Sequence, residues 1–265
     1  MVDLEVLGPL VVKVNGRMLR LGPTLRVLLL CLLCAEGDLV PAGRLAALAS
    51  GTGAAEFSPT TLRSHVSHLR RALDDAAGQD GGAREPVIVT DRMGGGTGYA
   101  LRLDAVQVDA ARFAREADRG MRELHAGDAA RAADTLRAAL RLWRGQPLAD
   151  VADYPFAQTG IGRLEAARRA ALAARLDADV RCGRHRSVVG ELQALVARWP
   201  GDEALQELLI TCLYRSGRAA EAAHACRDAI EFTIGHGLES QRLAALQRQV
   251  LTGTLQGFDS AAIPA

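Results

Sequence analysis

Phe57-Ser-Pro-Thr-Thr-Leu-Arg-Ser-His-Val-Ser-His-Leu-Arg-Arg-Ala-Leu73 decides how this 265-residue chain is read. Ser58 sits where an N-cap belongs, and Pro59 takes the first helical position, where a missing N–H costs nothing. Leu62, Val66, Leu69 and Leu73 recur at helical spacing, so one stripe can face a core. The opposite face collects Thr60, Ser64, Ser67, His68 and Arg71, flanked by Arg63 and Arg70. No acidic residue falls between Phe57 and Asp74. Hydroxyls and guanidinium groups bond base edges and phosphates, and no carboxylate here repels a phosphate backbone. The segment therefore suits a helix laid in the DNA major groove. A solvated basic face has the same pattern, so the flanking sequence has to decide.

Upstream, Leu4 to Leu7, Leu10 to Val14 and Met18 to Leu21 alternate in the manner of strands. Asn15-Gly16 between the later runs is a hairpin turn, and Gly8-Pro9 marks another. A small antiparallel sheet is expected. A helix follows from Thr24 as cap to about Ala35, stopped by Gly37, and a second from Pro41 to Ala49, broken by Ser50 to Gly53. The helix of residues 57–73 comes third. After a polar loop from Gly78 to Arg84, residues 86–90 and 99–103 read as two strands, joined through Asp91 to Gly98 as a hairpin. Three helices followed by a β-hairpin make a winged helix-turn-helix. The Gly-rich hairpin lacks the G-x-x-x-x-G-K-[ST] pattern of a phosphate cradle, so a flexible wing tip is the better account.

Strand signals vanish from Asp109 onward. Helices are expected over about 109–125, 128–143, 156–182, 185–198, 202–216, 218–234 and 239–252, with Gln146 to Gly162 holding an inserted loop and short helix. Gly127, Gly183 and Gly217 each precede small or apolar residues five, nine and twelve positions on. These are Ala132, Leu136 and Ala139; Val188, Leu192 and Leu195; Ala222, Cys226 and Ala229. The last two glycines stand 34 residues apart, the period of tetratricopeptide-type helix pairs, while the first interval is 56. The fold class is thus an α+β winged helix-turn-helix followed by an all-α tetratricopeptide-like array.

Composition narrows the function. The formal net charge is +1, and residues 1–105 hold 11 basic and 11 acidic side chains. Affinity for nucleic acid must come from a local patch and gain from paired binding. Lys13 is the single lysine among 32 basic residues, which leaves phosphate contacts to arginine. No apolar run approaches the roughly 20 residues of a membrane span, and no signal peptide is legible, so a cytoplasmic protein is expected. The five cysteines form no disulfide framework. Cys31 and Cys34 have C-x-x-C spacing but lie in an apolar helical run, where small buried side chains are the simpler account. The six histidines are scattered, and no nucleophile elbow, dinucleotide fingerprint or metal cluster appears. Neither an enzyme nor a cofactor is expected. A phosphoacceptor receiver domain is also missing.

Three motifs in the first half, Leu4-Glu-Val-Leu-Gly-Pro-Leu10, His65-Val-Ser-His-Leu-Arg-Arg-Ala-Leu73 and Gly98-Tyr-Ala-Leu101, resemble the Streptomyces antibiotic regulatory protein (SARP) family. So do Ala139-Leu-Arg-Leu-Trp-Arg-Gly145, Arg163-Leu-Glu165 and Leu213-Tyr-Arg-Ser-Gly-Arg218 in the second, and the resemblance covers nearly the whole chain. It implies an OmpR-type winged-helix DNA-binding domain at 1–105, a bacterial transcriptional activation domain at 106–255 and a flexible tail at 256–265. It also implies an activator of a secondary-metabolite gene cluster that binds promoter direct repeats, two protomers side by side. The further partner implied is RNA polymerase holoenzyme, through its σ factor and the C-terminal domain of its α subunit. By position, Arg63, Ser64, Ser67 and His68 would face the groove, and Arg70 and Arg71 would contact phosphates. Thr60 and Thr61 at the helix start would meet a phosphate, with Arg92, Thr97 and Tyr99 on the wing. The chain departs from the family at His68, where a basic residue is common, in lacking a Trp at the end of the second helix, and in a longer wing tip. The competing reading is a tetratricopeptide-like interaction scaffold whose winged helix is degenerate.

Overall fold

The computed structural model describes residues 2–50, 57–77, 86–93, 96–103 and 106–255. The expected loop at Gly78 to Arg84, the breaker at Gly51 to Gly53, the centre of the wing tip and the tail at 256–265 lie outside these residues. Packing divides the chain into two compact units that are discontinuous in sequence. The first is Met1–Arg115 with Arg141–Arg168, and the second is Glu116–Leu140 with Arg169–Ala265.

In the first unit, β1 (Val2–Glu5), β2 (Val11–Val14) and β3 (Arg17–Leu19) form the expected antiparallel sheet. Asn15 and Gly16 turn the hairpin with φ of 51° and 77°, the paired positive values of a type I′ turn. Helix α1 (Pro23–Cys34) follows. Its cap is Gly22, without a side-chain bond, so Thr24 is not the cap; Pro23 occupies the first turn and starts the helix two residues earlier. Leu28, Leu29, Leu30 and Leu32 are all fully buried, as befits a helix apolar on every side. Pro41 does not begin the second helix. It pairs with Gly98 in a two-residue strand, β4 (Val40–Pro41), and α2 runs Ala42–Ser50. Proline lacks the ladder donor and is at home on such an edge.

After α3 (Pro59–Ala77), strands β5 (Ile88–Met93) and β6 (Gly96–Leu101) form the hairpin, in sheet order β4-β6-β5. Both strands lie nearer the tip than the sequence pattern places them, because pairing continues out to Met93 and Gly96. A Cβ on Gly98 would stand 2.7 Å from Leu39 Cγ, so only glycine lets β6 approach there. Strand β7 (Val106–Val108) pairs in parallel with β1 and closes the first sheet in the order β3-β2-β1-β7. Three residues are too few for a period, and their partner lies about a hundred positions away.

The same unit recruits chain from beyond the winged helix. The backbone N–H groups of Arg144 and Leu148 donate to the carbonyls of Leu7 and Val6 at 2.7 and 2.8 Å. Asp109 accepts from the amides of Val6 and Leu7, and Asp150 from the amide of Leu10. Asp150 also pairs with Arg26. Leu148, Val151, Ala157 and Ile161 are buried in one core with Leu4, Leu28 and Leu69. The expected insertion at 146–162 is a loop with one 3-10 turn, Ala149–Val151, and the long helix begins at Pro155.

Helices α4 (Asp109–His125), α5 (Ala129–Leu140), α6 (Pro155–Arg181), α7 (His185–Arg198), α8 (Glu203–Arg215), α9 (Ala219–Gly235) and α10 (Gln241–Thr252) follow the expected segments closely. The division between units falls inside α4 and α6. In the second unit, Gly127, Gly183 and Gly217 take φ of 87°, 79° and 81°, the left-handed residue that ends a helix and releases its last carbonyls to the turn. All the spaced residues after them are buried except Leu195, which is half-buried. A Cβ on Gly120 would meet Leu136 Cγ at 2.5 Å, and its absence lets α4 and α5 close together. Successive helices α7 to α10 pack pairwise over Leu176, Leu192, Leu208 and Leu213. Asp179, 3% exposed, accepts from Arg137, from Arg175 at 3.2 Å and from Arg184 at 2.8 Å, and fastens this unit with charge.

Candidate nucleic-acid interface

Helix α3 starts as its sequence demands. Ser58 Oγ accepts the amide of Thr61 at 3.1 Å and shares a 2.8 Å hydrogen bond with the Thr61 hydroxyl. Leu62, Val66, Leu69 and Leu73 are each at most 2% exposed. The core therefore grips one side of the helix and fixes which side is left over. Phe57 packs against the His65 ring at 5.2 Å between centroids, holding the chain where it enters the helix.

Thr60, Arg63, Ser64, Ser67, His68 and Arg71 lie exposed on the outward face. None of these side chains is engaged by another described residue. The face thus presents two guanidinium groups, three hydroxyls and an imidazole to the outside. Thr61 is exposed as well, but its hydroxyl is occupied at the cap.

Arg70 stands apart from this group. Its Nε–H donates to the carbonyl of Ile88 at 2.9 Å and its Nη2 to the Thr90 hydroxyl, so the guanidinium braces α3 against β5. Its place in the motif suggests a phosphate contact; geometry makes it a strut for the wing. On the hairpin, Arg92 and Thr97 are cross-strand partners near the tip, Arg92 exposed and Thr97 half-buried. Tyr99 does not belong with them. It is 4% exposed and packs in the core, its register shared with Val40 and Thr90. The resemblance places it on the wing surface, but pairing with β4 turns it inward.

Other chemistry is not assembled here. Among the described residues, no group of three or more His, Cys, Asp and Glu side chains could hold a metal ion. All five cysteines are free. Burial pushes the Cys31 thiol up to about 12, with Cys34 beside it adding to the rise, and burial pushes Cys34 up to about 11. Neither is an activated thiolate. No helix among the described residues is long and apolar enough to cross a membrane.

A winged helix with a bare polar face on its third helix, joined to tetratricopeptide-like helices, defines a class of transcriptional regulator. Residues 108–251 match the bacterial transcriptional activator domain. The regulatory protein DnrI of Streptomyces peucetius is 32% identical over 252 residues, covering 94% of this chain and 92% of that protein. The regulatory protein AfsR of Streptomyces coelicolor is 39% identical over 219 residues, covering 82% of this chain and 20% of AfsR. The structure of Mycobacterium tuberculosis EmbR in complex with a low-affinity phosphopeptide superposes with a TM-score of 0.83 at 29% identity, covering 98% of this chain and 66% of that one. The chain belongs to the Streptomyces antibiotic regulatory protein family of transcriptional activators. It spans about a fifth of AfsR and nearly all of DnrI.

Proposed function

We propose that this protein is a sequence-specific DNA-binding activator of a secondary-metabolite gene cluster, with α3 in the major groove and the β5–β6 hairpin against the adjacent backbone. The observation that carries the reading is the exposed α3 face, whose Arg63, Ser64, Ser67, His68 and Arg71 are left without partners among the described residues. A buried apolar stripe on the same helix sets its orientation. Arg63, Ser64, Ser67 and His68 read base edges, Arg71 and Thr60 hold phosphates, and Arg92 with Thr97 follows the backbone beside them. Thr61 contributes through the helix N-terminus rather than its hydroxyl.

In this reading residues 1–105 supply DNA recognition, residues 106–255 supply activation and 256–265 form a tail. The +1 net charge makes a single copy a weak binder, and two protomers on a direct repeat raise affinity through effective concentration. The helical array then offers RNA polymerase holoenzyme a second attachment beside the promoter, through the σ factor or the C-terminal domain of the α subunit.

Footprinting and gel-shift titration on the promoters of the neighbouring genes test the proposal. Protection of two adjacent half-sites, with Ser64→Ala and His68→Ala altering base preference, is the expected result. Equal and negligible binding to promoter and random DNA at low salt would instead favour the interaction scaffold.

A further inference from the structure

The outward face of the β3-β2-β1-β7 sheet floors a cleft of about 830 Å³ within the first unit. That volume lies in the range of small-molecule sites. Arg112 and Arg115, one turn apart on α4, line it together with Arg141, just beyond α5. All three are exposed, and none has a hydrogen bond or ion pair to another described residue.

Most of the acidic charge in the cleft is already answered. Glu5 pairs with Lys13 and lies 3.4 Å from Arg144 Nε. Asp109 is held by the amides of Val6 and Leu7 and stands 3.7 Å from Arg144 Nη2. The three free guanidinium groups are therefore an unspent positive cluster facing the cleft. Asp3 and Gln107, which also line the cleft, are register partners on β1 and β7, which puts one acceptor carboxylate and one amide side by side on the floor. Leu103, 40% exposed, and Leu142 supply an apolar wall.

The cleft is also on the wrong side for the duplex. The inner face of this sheet, through Leu4, Val12 and Val14, shares a core with Leu62, Val66 and Leu69 of α3. The cleft and the exposed α3 face thus open on opposite sides of that core. A phosphate held by Arg112 or Arg115 is not a phosphate of the DNA on α3.

We propose that this cleft binds a nucleotide-sized phosphate ester. Its phosphates lie on Arg112, Arg115 and Arg141, an amino or hydroxyl donor lies on Asp3 and Gln107, and its ring rests on Leu103 and Leu142. Guanidinium forks match phosphate oxygens, while the opposed carboxylate selects a ligand with donors at its far end. A bare polyphosphate gains the first contact set and is repelled by Asp3.

Isothermal titration of the full chain with ATP and, separately, with inorganic triphosphate tests this. The expected result is saturable one-to-one binding of ATP, with triphosphate weaker. Arg115→Gln combined with Arg141→Gln lowers both affinities at least tenfold at an unchanged melting temperature, since both side chains are exposed. Asp3→Ala weakens ATP several-fold and leaves triphosphate equal or tighter. Arg248→Gln, an exposed arginine of the second unit, changes neither. The proposal is overturned by the absence of saturable binding at millimolar ATP, or by ATP affinity that survives the double substitution. Triphosphate binding as tight as ATP and indifferent to Asp3→Ala, or a hexaglutamate peptide binding more tightly than ATP, overturns it equally.

Discussion

Arg70 on α3 donates its Nε–H to the carbonyl oxygen of Ile88 on β5 at 2.9 Å, so the third helix and the hairpin are tied by a single guanidinium. A second bond, to the Thr90 hydroxyl, fixes the orientation of that link. Neighbouring Arg71 is exposed and engaged by no other described residue. Two adjacent arginines of one motif therefore have separate tasks.

The contrast can be measured by titrating promoter affinity against salt. Arg71→Ala is expected to weaken binding to all sequences and to lower the slope of log K against log salt by about one, the signature of one lost phosphate contact. Arg70→Ala is expected to weaken promoter binding about tenfold with the slope unchanged, because it loosens the wing without removing a phosphate partner. A reduced slope for Arg70→Ala would return that residue to the DNA backbone.

Asp109 joins the winged helix to the chain that follows it. Replacing it with Ala strands the Val6 and Leu7 amides, which donate to this carboxylate's two oxygens. The expected loss is about 2–3 kcal/mol in urea unfolding of the full chain. A loss under about 0.5 kcal/mol, the scale of an ordinary surface change, would show that the anchor contributes nothing.

Asp179 is the hub of the second unit. With its carboxylate removed, Arg175, whose side chain is 10% exposed, keeps only Glu191, and Arg137 and Arg184 lose their shared partner. Breaking a buried ion pair from one side costs roughly 3–5 kcal/mol. Asp179→Ala should therefore lower the melting temperature by several degrees, whereas Asp134→Ala, which removes an exposed partner of Arg137, should barely change it.

Glu207 gives stability a pH dependence of definite sign. Burial raises its carboxyl above the ordinary 4.5, against the lowering influence of Arg242, whose Nη2 lies 2.7 Å from Oε2; Glu203 adds to the rise. Oε1 is buried without a hydrogen-bond partner among the described residues. The folded protein holds this proton more tightly than the unfolded chain, so the contribution of Glu207 to stability grows as pH falls from neutrality toward 4.5 and is level below it. Thermal melts of wild type and Glu207→Gln should accordingly diverge in favour of wild type over that interval. Parallel melting curves across it would contradict the assignment.

The resemblance motifs are legible as separate fragments, and the structure gives a reason for their order. Leu4 to Leu10 and Ala139 to Gly145 meet: the Arg144 amide donates to Leu7, the Arg144 guanidinium donates to the Pro9 carbonyl at 3.0 Å, and a Cβ on Gly8 would stand 3.0 Å from Arg144 Cβ. Nothing in either stretch points to the other, because the acceptors of both bonds are backbone carbonyls that every residue type carries. The same applies to β4 and β7, strands too short to show a period and paired with distant chain.

What the linear pattern determined by itself was set by near neighbours, although the cap of α1 escaped it. The cap and stripe of α3, the Asn15-Gly16 turn, the glycines that end the helices and the segments of the helical array all follow from steric and hydrogen-bonding rules acting within a few residues. Tertiary structure alone decided which polar side chains remained free. It turned Tyr99 inward, spent Arg70 on the wing and left Arg71 bare. It also gathered Arg112, Arg115 and Arg141 around one cleft. Exposure and partnership depend on which surfaces the core brings together, and those surfaces come from segments beyond the reach of local rules, 18 residues apart for Arg70 and Ile88 and farther for Tyr99 and Val40.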